Sequence, residues 1–152
     1  MTGLAPQTLD VFPSIASLEC LRDFSLVGGT EISLQINHKL SEDLDFCRWV
    51  DATNAKNAIP HKIIQEELDL LFEGIHVNPL SFDQIDFRVN RVKLTFFNEV
   101  GHNLPAHQTI NVGGITCMPL DILCAMKIKT LFERNVFRDY YDLYLFNQRW
   151  AH

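Results

Sequence analysis

Phe24-Ser-Leu-Val-Gly-Gly-Thr-Glu-Ile-Ser-Leu-Gln-Ile-Asn-His-Lys-Leu-Ser-Glu-Asp-Leu-Asp-Phe46 reads as a strand, a glycine turn, a helix and a second strand. Ser25 to Val27 is a short apolar run that Gly28 and Gly29 stop, and Thr30 can cap a helix through about Asn37. Ile32, Leu34 and Ile36 leave the face of that helix open between periods of 2 and 3.6 residues. Glycines at a strand-to-helix turn let backbone N–H groups approach an anion, and the helix start adds its positive dipole end, so a triphosphate could sit there. The same three residues also describe an ordinary turn with a helix cap. Leu44, Phe46 and Trp49 then interleave with Asp43 and Asp45 as an alternating strand. Two carboxylates two residues apart in an extended run point to one face, which suits one divalent cation, and hard oxygens suit Mg²⁺ or Mn²⁺. A solvent-facing strand edge with two solvated charges is the other reading of the pair.

Working outward, a helix is expected from about Thr8 to Phe24, broken or restarted near Pro13. Another runs from about His61 to Phe72, with Ile63, Ile64, Leu68 and Leu71 on one side. The middle of the chain is β-rich. Ile75 to Leu80, Ile85 to Val89, Val92 to Phe97 and Ile110 to Val112 are short β-branched or aromatic runs, and Gly113-Gly114 fits a tight turn before Ile115 to Met118. Asp121 caps a helix from Ile122 to about Arg134, and a last helix spans about Arg138 to Gln148. Helices, then strands, then helices around one sheet is an α+β arrangement, a mixed sheet with flanking helices. With neither an internal repeat nor a dividing linker, residues 1–152 read as one domain.

A chain of 152 residues is long enough to bury roughly 70% of its unfolded surface. With 47% hydrophobic and 11% aromatic residues its composition is globular and excludes disorder and low complexity. No apolar run is long enough to span a bilayer, and Met1 to Phe12 lacks the regions of a signal peptide, so a cytoplasmic protein with no membrane contact is expected. The net charge of −6 argues against a broad nonspecific nucleic-acid surface. It is uneven: residues 1–76 carry 5 basic and 12 acidic side chains, and 77–152 carry 8 and 7. A metal site in the first half and an anion site in the second fit that split, as do scattered solvated charges. Cys20, Cys47, Cys117 and Cys124 form no Cys-x-x-Cys pair, and the histidines show no ligand spacing, so free thiols and no zinc are expected.

In the run from Met126 to Leu143, Lys127 and Arg134 lie seven residues apart, on one helix face, and both could reach phosphates. An amphipathic helix with a solvated basic edge has the same pattern. Arg138 with Asp139 and Asp142 reads equally as a charge cluster ordering the last helix.

Together, Phe24 to Phe46 and the later block of Lys127, Arg134 and Arg138-Asp-Tyr-Tyr-Asp142 resemble the nucleotidyltransferase-like AbiEii/AbiGii toxin family, in the DNA polymerase β-like nucleotidyltransferase superfamily. The resemblance covers about residues 18–146, with both blocks in order and correctly spaced. It implies a minimal nucleotidyltransferase fold and transfer of a nucleoside monophosphate from an NTP to an acceptor, with release of pyrophosphate. Gly28, Gly29 and Thr30 would hold the triphosphate, Asp43 and Asp45 would bind Mg²⁺ or Mn²⁺, and Lys127 would contact the nucleotide phosphates. Arg134, Arg138, Asp139 and Asp142 would line or brace the same pocket. Some relatives are toxins of toxin–antitoxin systems that modify the acceptor end of tRNA, so an RNA acceptor and an antitoxin partner are implied.

The chain departs from the family pattern at three places. A third carboxylate is expected within a Lys-x-Asp pattern, where this chain has Lys93-Leu94-Thr95, so one metal held by two carboxylates is expected, with Thr95 facing it. The family's His-Arg pair is His38-Lys39, which loses the bidentate fork of arginine. Many relatives also continue past the equivalent of Asp142 into a further helical part, so an acceptor-binding surface is expected to be missing. The alternative to an enzyme is a catalytically weak domain of the same fold that binds a nucleotide or a partner.

Overall fold

The computed structural model describes residues 1–51, 58–101, 108–133 and 136–150, with residues 149 and 150 described by backbone alone. The first helix, α1, is Pro6–Ala16, and a separate 3-10 turn, Glu19–Asp23, follows it. The expected break therefore falls after Ala16. Pro13 forfeits a single intrahelical hydrogen bond, and the buried face of Val11, Phe12 and Ile15 holds the helix through it. The chain continues as β1 (Ser25–Val27), α2 (Gly28–Ile36), β2 (Leu44–Val50), α3 (His61–Leu71), β3 (His76–Ser81) and β4 (Gln84–Val89). Next come β5 (Val92–Val100), β6 (Ile110–Val112), β7 (Ile115–Cys117), α4 (Leu120–Glu133) and α5 (Phe137–Trp150).

Among the described residues the strands make one sheet in the order β3-β4-β5-β2-β1-β7-β6. β2 runs antiparallel to β1 and parallel to β5, and β1 is parallel to β7, which makes the sheet mixed. The expected α+β fold is the one observed. β4 and β5 form a hairpin whose two loop residues, Asn90 and Arg91, both have positive φ, 45° and 69°. That is the turn handedness that matches strand twist.

Alternation along each strand divides the protein into two halves. Leu44, Phe46, Leu94, Phe96 and Phe87 face α1 and α3 and join Phe12, Ile15, Ile64 and Leu68 in the larger core cluster. Phe96 is its hub: it stacks on Phe46 at 5.1 Å and meets Phe24 and Phe87 edge-on at 5.3 and 5.8 Å. On the other face, Val27 and Cys47 pack with Ile32 of α2, Leu123 of α4 and Phe146 of α5. This second cluster leaves β4 and the start of β5 uncovered on that face, and a cleft remains.

Candidate active site

The cleft has a volume of about 750 Å³, within the usual range for small-molecule sites of about 300–1,000 Å³. Its floor is the exposed parity of β2, β5 and β4, one wall is the start of α2, and the other is α4 with α5. Gly28, Gly29, Thr30, Asp43, Asp45, Lys127, Arg138 and Asp142, all singled out from sequence, line it. Asp139 is fully buried behind Lys127, and Arg134 lies outside the described residues.

The glycine turn is required by its neighbours. Gly28 has φ +78°, and a Cβ there would stand 2.9 Å from Asp45 Oδ2. A side chain at Gly29 would fill the space beside Lys39 Nζ and Asp142 Oδ2. Thr30 does not cap α2 as expected, because the helix already begins at Gly28 with Val27 flanking it. Its hydroxyl donates instead to the Asp43 backbone carbonyl and accepts from Ser41 Oγ at 2.6 Å. Thr8 adds a hydrogen bond to the Glu42 carbonyl, so α1 and α2 together fix the loop that delivers Asp43.

Asp45 is sunk in the floor. Burial pushes its carboxyl above the usual range, Asp43 adds to the shift, and Lys93 only partly offsets it. Lys93 Nζ stands 3.7 Å from Asp43 Oδ2, a loose pair with both side chains over one-third exposed. Two carboxylates with so little compensation, and with space above them kept open by Gly28, form an oxygen-donor set that fits a hard divalent cation.

The opposite wall is tightly paired. Lys127 Nζ donates to Asp139 Oδ1 at 2.9 Å and lies 3.1 Å from Asp142 Oδ2, with the lysine only 7% exposed and both carboxylates buried. Asp142 Oδ1 also accepts from Lys39 Nζ at 2.7 Å and His38 Nε2 at 2.8 Å. Burial alone would raise the Asp142 carboxyl, but these hydrogen bonds and the Lys127 charge outweigh it and hold it below the usual range. Burial lowers the His38 pKa despite Asp142, and its Nδ1 is buried without a hydrogen-bond partner. The His38-Lys39 pair thus clamps the α2–β2 loop to α5 through single contacts, which a lysine can make as well as an arginine.

Asp86 and Glu31, in and behind the site, were not singled out from sequence, and Lys93 entered only as part of the Lys93-Leu94-Thr95 pattern. Asp86 and Lys93 lie in the floor, and Glu31 is fully buried behind the glycine turn. Burial raises the Glu31 carboxyl to about 9, and its Oε2 has no hydrogen-bond partner. Asp86 was legible in principle: a two-residue hairpin at Asn90-Arg91 puts it opposite Thr95. The turn lacks the glycine that usually announces such a hairpin.

Residues 19–152 match the family model described as nucleotidyl transferase AbiEii toxin, type IV toxin–antitoxin system. An uncharacterized protein of Aquifex aeolicus (strain VF5) is 26% identical over 147 residues, covering 95% of this chain and 67% of that one. The crystal structure of JHP933 from Helicobacter pylori superposes with a TM-score of 0.63 at 17% identity, covering 95% of this chain and 68% of that one. ANT(2")-Ia, solved in complex with adenylyl-2"-tobramycin, gives the same TM-score at 10% identity, over 95% of this chain and 90% of that one.

Proposed function

The chain belongs to the AbiEii nucleotidyltransferase toxin family of type IV toxin–antitoxin systems, and from that premise we propose that it moves a nucleoside monophosphate from an NTP to an acceptor hydroxyl. The acceptor is an RNA, tRNA included, or a protein, and Mg²⁺ or Mn²⁺ is the cofactor. The observation that carries this reading is convergence. Two floor carboxylates, a glycine turn at a helix start and two cations from the far end of the chain meet in one cleft of nucleotide size.

Asp43 and Asp45 would hold the cation, which when bound polarises the α-phosphate. Two carboxylates suffice for Mg²⁺, which commonly keeps several waters and takes its remaining ligands from substrate phosphates. The N–H groups at the start of α2 face the triphosphate with the positive end of the helix dipole. Lys127 and Arg138 neutralise charge on the leaving pyrophosphate. Asp139 and Asp142 keep the Lys127 ammonium in one place, so little reorganisation is needed when the nucleotide arrives. The acceptor oxygen forms a bond to the α-phosphorus as the bond from that phosphorus to pyrophosphate breaks, and no serine or cysteine nucleophile takes part. An antitoxin protein is the partner that a toxin of this kind requires.

Incubation of α-labelled NTPs with total RNA and Mg²⁺ is expected to label RNA with the wild type and not with Asp45→Asn. Equal labelling by both proteins would overturn the assignment of Asp45. Metal-dependent nucleotide binding without transfer to RNA or protein would favour the binding-module reading, for which Thr95 is the motive.

A further inference from the structure

Asp45, Thr95 and Asp86 form one row across three strands. β2 pairs Asp45 with Thr95, and β5 pairs Thr95 with Asp86. Residues in such a row point to the same face of the sheet, and all three line the cleft. Thr95, only 7% exposed, donates its hydroxyl to Asp86 Oδ1 at 2.8 Å. Among the described residues this threonine contact is the one that fixes the Asp86 carboxylate, and it leaves the second oxygen for another partner.

Two strand spacings of about 4.8 Å set the Cα atoms of Asp45 and Asp86 roughly 10 Å apart. That is a long reach for one small cation, and among the described residues no three His, Cys, Asp or Glu side chains are grouped to hold a metal. Asp86 thus stands on the floor beyond the metal pair, on the side away from the glycine turn, where an acceptor hydroxyl would come to the α-phosphate. We infer that Asp86 is the general base of the transfer, displaced by one strand from the position where Thr95 stands, and that Thr95 is the positioning residue that aims it. The inference rests on the nucleotidyl-transfer reading above. In the step, the acceptor O–H proton passes to Asp86 Oδ2 as the oxygen bonds to the α-phosphorus, and pyrophosphate departs with the electron pair of the broken P–O bond.

Two measurements test this on the full chain: Mn²⁺ binding in the presence of α,β-methylene NTPs, followed by electron paramagnetic resonance, and pyrophosphate release from the four NTPs with total tRNA or water as acceptor. Asp86→Asn is expected to bind Mn²⁺ and analogue within about twofold of wild type and to lose about 100-fold or more in pyrophosphate release. Thr95→Val is expected to lose about tenfold in turnover at unchanged nucleotide KM, and Thr95→Ser to recover most of that loss. Unchanged pyrophosphate release in Asp86→Asn overturns the inference. So does loss of Mn²⁺ binding to the level of Asp45→Asn, which would make Asp86 a metal ligand instead. A wild type that binds Mn²⁺ and analogue yet releases no pyrophosphate with these acceptors, nor with total RNA or total cell protein added in their place, also overturns it, while leaving nucleotide binding standing. A wild type that binds neither overturns the nucleotidyl-transfer reading, and the inference with it.

Discussion

Asp45 and Phe46 are neighbours on β2, yet they serve opposite halves of the molecule. Phe46 and its row partner Phe96 are fully buried in the larger core, where the only requirement is close packing. Asp45 and its row partners Thr95 and Asp86 face a cleft in which charge is held out of water with incomplete compensation. One set of strands thus stabilises the fold with one parity and carries strain with the other. Mutations one residue apart should therefore have opposite signatures, the apolar parity changing stability and the polar parity changing ligand binding.

The sharpest test of that contrast is at the hub. Phe96→Ala should cost about 3–5 kcal/mol in urea unfolding, since it empties a site packed by three other rings. A loss below about 1 kcal/mol would show that the sealed face is not what holds the sheet together. Lys127 should blur the division, because it belongs to the cleft and is nevertheless buried. Lys127→Ala leaves Asp139 and Asp142 without their shared cation, so a loss of about 3 kcal/mol is expected together with roughly tenfold weaker nucleotide binding by calorimetry.

Asp45→Asn should return the pure cleft signature. Because folding raises this carboxyl, its ionised form is penalised in the native state, and its contribution to stability falls as pH rises through the folded value. The amide removes that penalty, so the metal-free variant should melt at or above the wild-type temperature at pH 7 while metal-dependent nucleotide binding disappears. A variant that melts several degrees lower would make Asp45 a structural residue.

At Glu31 the expected effect is one of pH. Its carboxyl rises from an ordinary 4.5 to about 9 on folding, so the native state holds the proton that the unfolded chain has already released. Stability is then complete in acid and drains away between those two values as the medium becomes alkaline. Glu31→Gln should flatten that decline in a series of thermal melts, the two proteins diverging progressively as pH rises from about 4.5 towards 9. Parallel declines in the two proteins would mean that Glu31 is ionised in place.

Much of the cleft was legible along the chain because its parts are local. Gly28 and Gly29 announce the turn, Asp43 and Asp45 share a parity, and Lys127 and Asp142 belong to helical segments recognisable by pattern. Asp86 was missed because its meaning lies in a partner. Alternation places it opposite in facing to Phe87, but only the hairpin register sets it against Thr95. The helical pattern leaves Lys127 either reaching for phosphate or on a solvated basic edge, and its burial between Asp139 and Asp142, which excludes the solvated edge, comes from the docking of α5 on α4.

By itself the sequence determined the elements, the alternating facing of each strand and the α+β class, since helix and strand periods act within a few residues. It also carried the two blocks by which the family is recognised. Tertiary structure decided that β2 pairs in parallel with β5, a strand 50 residues further on, in the register that sets Asp45 beside Thr95, a placement that the family resemblance anticipated and the local pattern did not. It alone decided that Lys39 and His38 meet Asp142 across more than 100 residues of chain. The physical reason is that such pairings are set by closing long loops around a shared apolar core, here the cluster around Phe96. The charged groups of the cleft are brought together by that closure, and their own local sequence holds no record of which partners they meet.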